Sequence, residues 1–93
     1  MVKLSTVSVL LQRVGPRIRR DRLAKGWTQQ DLVDALAAAG GPRYSTRISL
    51  WETRSSLPSE QHRLLLARVL DVPADRYFAL SQPDDATNDS AAA

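Results

Sequence analysis

The chain contains no cysteine in its 93 residues. No disulfide framework, thiolate nucleophile or cysteine-based zinc finger can be built from it, and the absence suits a reducing compartment. Histidine occurs once, as His62, on a charged helix face where a surface role is expected. A glycine-rich phosphate loop, a paired metal-ligand spacing and a nucleophile–base set are also missing. The chain is therefore not expected to be an enzyme, and no cofactor, metal or small-molecule ligand is implied. Residues 1–14 have apolar character, but Lys3, Gln12 and Arg13 interrupt it. The stretch is too short to span a bilayer, and no small-residue cleavage site follows. A cytoplasmic protein with no membrane contact is expected. No internal repeat and no strong strand pattern occur.

With 43% hydrophobic and 25% charged residues, the composition is that of one ordinary globular domain. The net charge of +3 conceals an asymmetry. Residues 1–70 hold 12 Lys+Arg against 5 Asp+Glu, whereas residues 71–93 hold one Arg against five Asp. A basic body of this kind attracts polyanions; the alternative is a plain solvated surface.

Helical signals dominate, and the fold class read from them is all-α. Leu4, Val7, Leu10 or Leu11 and Val14 recur at three- and four-residue spacing, which predicts an amphipathic helix in an N-terminal extension over residues 1–14. A short strand at residues 5–9 is the alternative, because that run is β-branched and serine-rich. Gly15-Pro16 reads as punctuation, with Pro16 in the first turn of a separate helix reaching about Lys25. Ile18 and Leu23 are expected inward on that helix, its four arginines largely outward, and Gly26 as its stop. Thr28 with Asp31 resembles a capping box opening a second helix, buried through Leu32, Val33, Leu36 and Ala39 and closed by Gly40-Gly41-Pro42. Ser45 or Thr46 caps a short third helix to Thr53, with Ile48 and Trp51 inward. Ser59 caps a fourth, carrying Leu65, Leu66, Val69 and Leu70. Pro73-Ala74-Asp75 opens a short fifth helix with Tyr77, Phe78 and Leu80. Residues 81–93 lack periodicity and are acidic, so disorder is predicted there.

Two short helices joined by a tight glycine-containing turn in a basic all-α domain of this size suggest a helix-turn-helix. Several motifs carry a more specific likeness: Ile18-Arg19-x-x-Arg22, Gly26-Trp27-Thr28-Gln29-Gln30-Asp31-Leu32, Ile48-Ser49-Leu50-Trp51-Glu52, Pro58-Ser59 and Leu66-Ala67-x-x-Leu70-x-Val72. In this order and spacing the chain resembles the Cro/C1-type (XRE-like) family of phage and bacterial transcriptional regulators, over about residues 15–78. The resemblance implies a five-helix, lambda-repressor-like domain over residues 15–80 that binds double-stranded DNA, with residues 45–52 in the major groove.

In that register the base-reading positions fall on Ser45, Thr46, Arg47, Ser49 and Leu50. Arg47 leads, because a guanidinium can grip the O6 and N7 of guanine together. Ser45 and Thr46 either read bases or only cap the helix, and Leu50 either meets a thymine methyl or lies idle. Phosphate contacts are expected from Thr28, Gln29, Arg43 and Arg54, with Arg17 and Arg19 as further candidates; a solvated face is the alternative for the last two. The family's glutamate falls on Glu52 and its arginine partner on Arg22, implying a structural ion pair. Ile48, Trp51 and Trp27 are read as core.

The chain departs from the pattern in three places. Gly40-Gly41-Pro42-Arg43 lengthens the turn before the third helix, which shifts that helix's register by up to one position. Arg54 stands where the family commonly has glycine, a substitution that costs about 1 kcal/mol if the residue is left-handed. The N-terminal segment exceeds what the compact core needs. A homodimer is expected, its surface either the N-terminal apolar stripe or Tyr77, Phe78 and Leu80. The competing reading is a protein-interaction module of the same fold, an antitoxin or co-regulator.

Overall fold

The structure, a computed structural model, describes residues 5–41 and 47–80. Expectations for Arg43, Ser45, Thr46 and the acidic segment 81–93 lie outside the described residues. Among the described residues four α-helices and a 3-10 helix follow one another: α1 Thr6–Ala24, α2 Gln29–Ala38, α3 Arg47–Glu52, α4 Glu60–Leu70 and the 3-10 helix Ala74–Tyr77. Among the described residues there is no strand, and no helix is long and apolar enough to cross a membrane.

The expected break at Gly15-Pro16 does not occur: both residues lie inside the continuous 19-residue α1. Helix starts at Thr6, with the Ser5 hydroxyl accepting from the Ser8 amide at 3.1 Å, so the strand alternative at residues 5–9 is also overturned. An interior proline costs about 3 kcal/mol through its missing N–H and its clash with the preceding turn. Leu10 and Val14 lie before it and are 7% and 0% exposed, in the same core as Ile18. Each such burial is worth about 1.5–3 kcal/mol, so together they offset the proline and hold both halves on one helix. Gly15 serves a different end: a Cβ there would collide with the Trp51 carbonyl oxygen and sit 3.2 Å from that of Glu52. It is the point at which α1 passes directly over the end of α3. Leu23, expected inward, is 48% exposed; Arg22 takes the inward position.

All four α-helices end in the same paired pattern. Trp27 and Gly26 donate back to Arg22 and Leu23 after α1, and Gly41 and Gly40 to Leu36 and Ala37 after α2. Ser55 and Arg54 donate to Leu50 and Trp51 after α3, and Val72 and Asp71 to Ala67 and Arg68 after α4. The pattern needs a left-handed residue, met by Gly26, Gly40, Arg54 and Asp71 at φ of 74°, 97°, 65° and 60°. The starts of α2 and α4 are capped as well. Thr28 and Asp31 exchange side-chain to amide bonds at 3.0 and 2.8 Å, and Ser59 accepts from the His62 amide at 3.3 Å.

One apolar cluster joins the elements: Val14 and Ile18 of α1, Leu32 and Leu36 of α2, Ile48 and Trp51 of α3, Leu66 and Leu70 of α4, and Tyr77. Trp27 packs against it half-buried. Tyr77 is completely buried, which removes it from the expected dimer surface. Its hydroxyl donates to Asp21 at 2.6 Å, and burial, then that bond, push its ionisation far above the usual phenol range.

Buried arginines bind the closing segment to the helices. Arg17, only 1% exposed, donates to the carbonyls of Arg76 and Ala79 at 3.1 and 2.9 Å. Arg63 is 6% exposed, donates to the Tyr77 carbonyl at 3.3 Å and stacks 4.3 Å over the Phe78 ring. Arg76 grips both oxygens of Asp21, at 2.6 and 2.8 Å. Two of the four α1 arginines expected outward, Arg17 and Arg22, are therefore interior.

Candidate nucleic-acid interface

α3 turns its two apolar residues into the core, Ile48 at 0% and Trp51 at 2% exposure. Three- and four-residue spacing then sends Arg47, Ser49, Leu50, Thr53 and Arg54 outward, and all five are exposed. Of the expected base-reading residues described, Arg47, Ser49 and Leu50 thus share the solvent-facing side of one helix.

The pose of that helix is set by Glu52. Its carboxylate, 3% exposed, accepts from Arg22 Nε at 2.7 Å and from Arg22 Nη2 at 3.0 Å. A third donor, Gln29 Nε2, reaches the same carboxylate from the first turn of α2 at 3.2 Å. Arg22 Nη1 in turn donates to the Trp27 carbonyl at 2.6 Å. One ion pair therefore ties the end of α1, the start of α2 and the end of α3 together. The bond to Glu52 outweighs burial and raises the pKa of Arg22 above its ordinary value. Removing either partner leaves an uncompensated buried charge, which is why such a pair fixes geometry more than it adds net stability.

At the start of α2, the Thr28 amide is taken by the Asp31 carboxylate and the Asp31 amide by the Thr28 hydroxyl. The amides of Gln29 and Gln30 remain directed out of the first turn. Gln29 is exposed although its side-chain nitrogen is engaged by Glu52.

The arginines expected at phosphates separate cleanly. Arg19 and Arg54 are exposed and line one depression of about 470 Å³ between α1 and the end of α3. Arg17 is not part of it: its guanidinium is sealed against the carbonyls of the closing segment, where no phosphate can reach it. The depression also holds Arg20, Pro16 and Leu23, none of which the sequence pattern assigns to a site. Positions 16, 19, 20 and 23 fall on one face of a continuous helix, a face that a break at Gly15-Pro16 conceals.

His62 packs beside α3. Its ring centroid is 5.7 Å from that of Trp51, and burial, then the nearby Arg47 charge, lower its pKa. Among the described residues no group of three or more His, Cys, Asp or Glu could hold a metal ion. Comparisons with protein-family models, with curated proteins and with solved structures return no match.

Proposed function

We propose that the chain is a sequence-specific double-stranded DNA-binding protein of the Cro/C1-type helix-turn-helix kind, most simply a transcriptional repressor. On this reading α2 and α3 are the two helices of the motif in a lambda-repressor-like domain. Residues 45–52 enter the major groove, Arg47 reads guanine, and Ser49 and Leu50 lie beside it, together with Ser45 and Thr46.

The observation that carries the reading is the Arg22–Glu52–Gln29 assembly. It fixes α3 rigidly against α1 and α2 while leaving the Arg47–Ser49–Leu50 side open to solvent. A groove-reading helix has to be held in one pose with its polar side unobstructed. Phosphate contacts then fall to the start of α2, at Thr28 and Gln29, and to Arg54 and Arg19, with Arg43 from the turn. A homodimer on two half-sites about one helical turn apart would supply the affinity.

Selection of bound sequences from a random DNA pool tests the proposal. A single enriched motif is expected, and Arg47→Ala should relax one position of it by about 1–3 kcal/mol. Enrichment of nothing at moderate salt would sink DNA recognition.

The second reading, a protein-binding module of the same fold, draws on exposed Val7, Leu64 and Leu80, at 61%, 50% and 45%. Isolated apolar residues are normal on a monomer surface, and they leave the open polar side of α3 without a purpose. If an enriched motif survives Arg47→Ala unchanged, that side is not the reading surface.

A further inference from the structure

The basic surface of the molecule continues past α3 onto α1. Arg19 and Arg20 are exposed there and line, with Arg54, the depression of about 470 Å³ between α1 and the end of α3. Pro16 and Leu23 give it apolar surface. The carboxylate on its wall, Glu52, is already engaged by Arg22 at 2.7 Å. Among the described residues, Arg19 and Arg54 form no salt bridge. Such a lining suits an acidic peptide: cations for its carboxylates and aliphatic surface for its backbone.

The middle of α1 also holds the root of an acidic segment. The Ala79 carbonyl accepts from Arg17 at 2.9 Å, so the chain departs from the described fold beside that part of the helix. Beyond it, residues 81–93 carry Asp84, Asp85 and Asp89 and no lysine or arginine. Asp84 and Asp85 are five and six residues past Ala79, a reach of about 17–21 Å at ~3.3–3.6 Å per residue. Arg17 to Leu23 spans about 9 Å of helix at ~1.5 Å per residue. That length of chain is about twice the axial distance along this part of α1. A tether this short keeps them at an effective concentration of order millimolar.

We infer that residues 81–93 dock in cis on this depression, their aspartates opposite Arg19, Arg20 and Arg54, and there compete with DNA phosphates. The α1–α3 depression is then an acidic-peptide site at the edge of the nucleic-acid face. The competition rests on the DNA-binding reading; the docking does not.

The full chain has no cysteine, so a nitroxide on Ser90→Cys reports one position only. Backbone amides of Arg19, Arg20, Leu23 and Arg54 should broaden selectively at low salt. The effect should fall at least about threefold at ~0.5 M salt, where the Debye length is only a few ångström, and equally in the Asp84→Asn/Asp85→Asn/Asp89→Asn form. Broadening that ignores the triple substitution, or that lies elsewhere, overturns the docking. Broadening that grows with protein concentration places the segment on a second copy and overturns the cis arrangement. In a parallel titration with a selected DNA duplex, the triple variant should bind about five- to tenfold tighter at low salt, the gap closing as salt rises. Equal affinities overturn the competition. Absence of DNA binding by both forms is failure of the DNA reading and of the competition built on it, and the nitroxide measurement still decides the docking.

Discussion

The α-carbon of Gly15 lies so close to the Trp51 carbonyl that no side chain fits between them. Backbone meets backbone there, in the middle of α1 and the last turn of α3. The contact lets Val14 and Ile18, on either side of the glycine, reach the core that Ile48 and Trp51 also enter. Gly15→Ala should therefore act as overpacking against rigid backbone and cost about 2–3 kcal/mol, although alanine is the better helix former. Urea unfolding measures the change. A gain in stability would mean that α1 and α3 are separated more widely than described.

The Arg22–Glu52 pair carries a different sign structure. Glu52→Gln or Arg22→Met leaves one charge buried without its partner and should destabilise by about 3–5 kcal/mol. The double replacement Arg22→Met/Glu52→Met removes both charges and should recover most of that loss. It should not recover DNA affinity, because α3 loses its tie to α2 through Gln29. A double-mutant cycle followed by unfolding and by DNA titration separates the two effects. Additive losses in stability would contradict direct coupling.

What could be read from the sequence follows from how local each signal is. Gly26, the Thr28–Asp31 box and the Ser59 cap act within a turn of their own positions, and each stands in the structure where the sequence put it. The inward pair Ile48 and Trp51 followed from helical spacing, and with it the outward placing of Arg47, Ser49 and Leu50. Gly15-Pro16 misled because its role is set by Trp51, 36 positions away, and nothing local distinguishes a packing glycine from a punctuating one. Arg17 misled for the same reason. Its burial depends on carbonyls supplied by Arg76 and Ala79, and an arginine without those acceptors belongs on the surface.

Arg54 places stability and binding in opposition. At φ 65° it occupies the left-handed position that closes α3, where a side chain costs about 1 kcal/mol relative to glycine. Arg54→Gly should raise stability by about that amount. The same change should weaken DNA binding and flatten its salt dependence by about one unit. Unchanged binding would remove Arg54 from the phosphate contacts.

Arg17 and Arg19 differ by two positions and should behave as opposites. Arg17→Met strands the Arg76 and Ala79 carbonyls and should cost about 2–3 kcal/mol, with the salt slope of DNA binding unchanged. Arg19→Gln should leave stability within about 0.5 kcal/mol and reduce the slope by about one unit. Paired unfolding and salt titrations on the two variants check this. Equal slopes would return α1 to the solvated-face reading.

His62 makes stability depend on pH in a direction that can be worked out. Burial, then the nearby Arg47 charge, lower its pKa below the ordinary value of 6.5, so the folded chain holds its proton less tightly than the unfolded one. Stability from the neutral ring is fully present above pH 6.5. As pH falls below that value the unfolded state takes up protons first, and the contribution is lost until the folded-state pKa is passed. Melting temperature should accordingly drop on going from about pH 7 to about pH 5. No other histidine is present to share the titration. His62→Gln should flatten the curve within this window. Because the ring lies tilted beside Trp51 at 5.7 Å between ring centroids and within the field of Arg47, protonation also adds a cation near the residue proposed to read guanine. A His62→Gln profile that keeps the same slope would place the titrating group elsewhere.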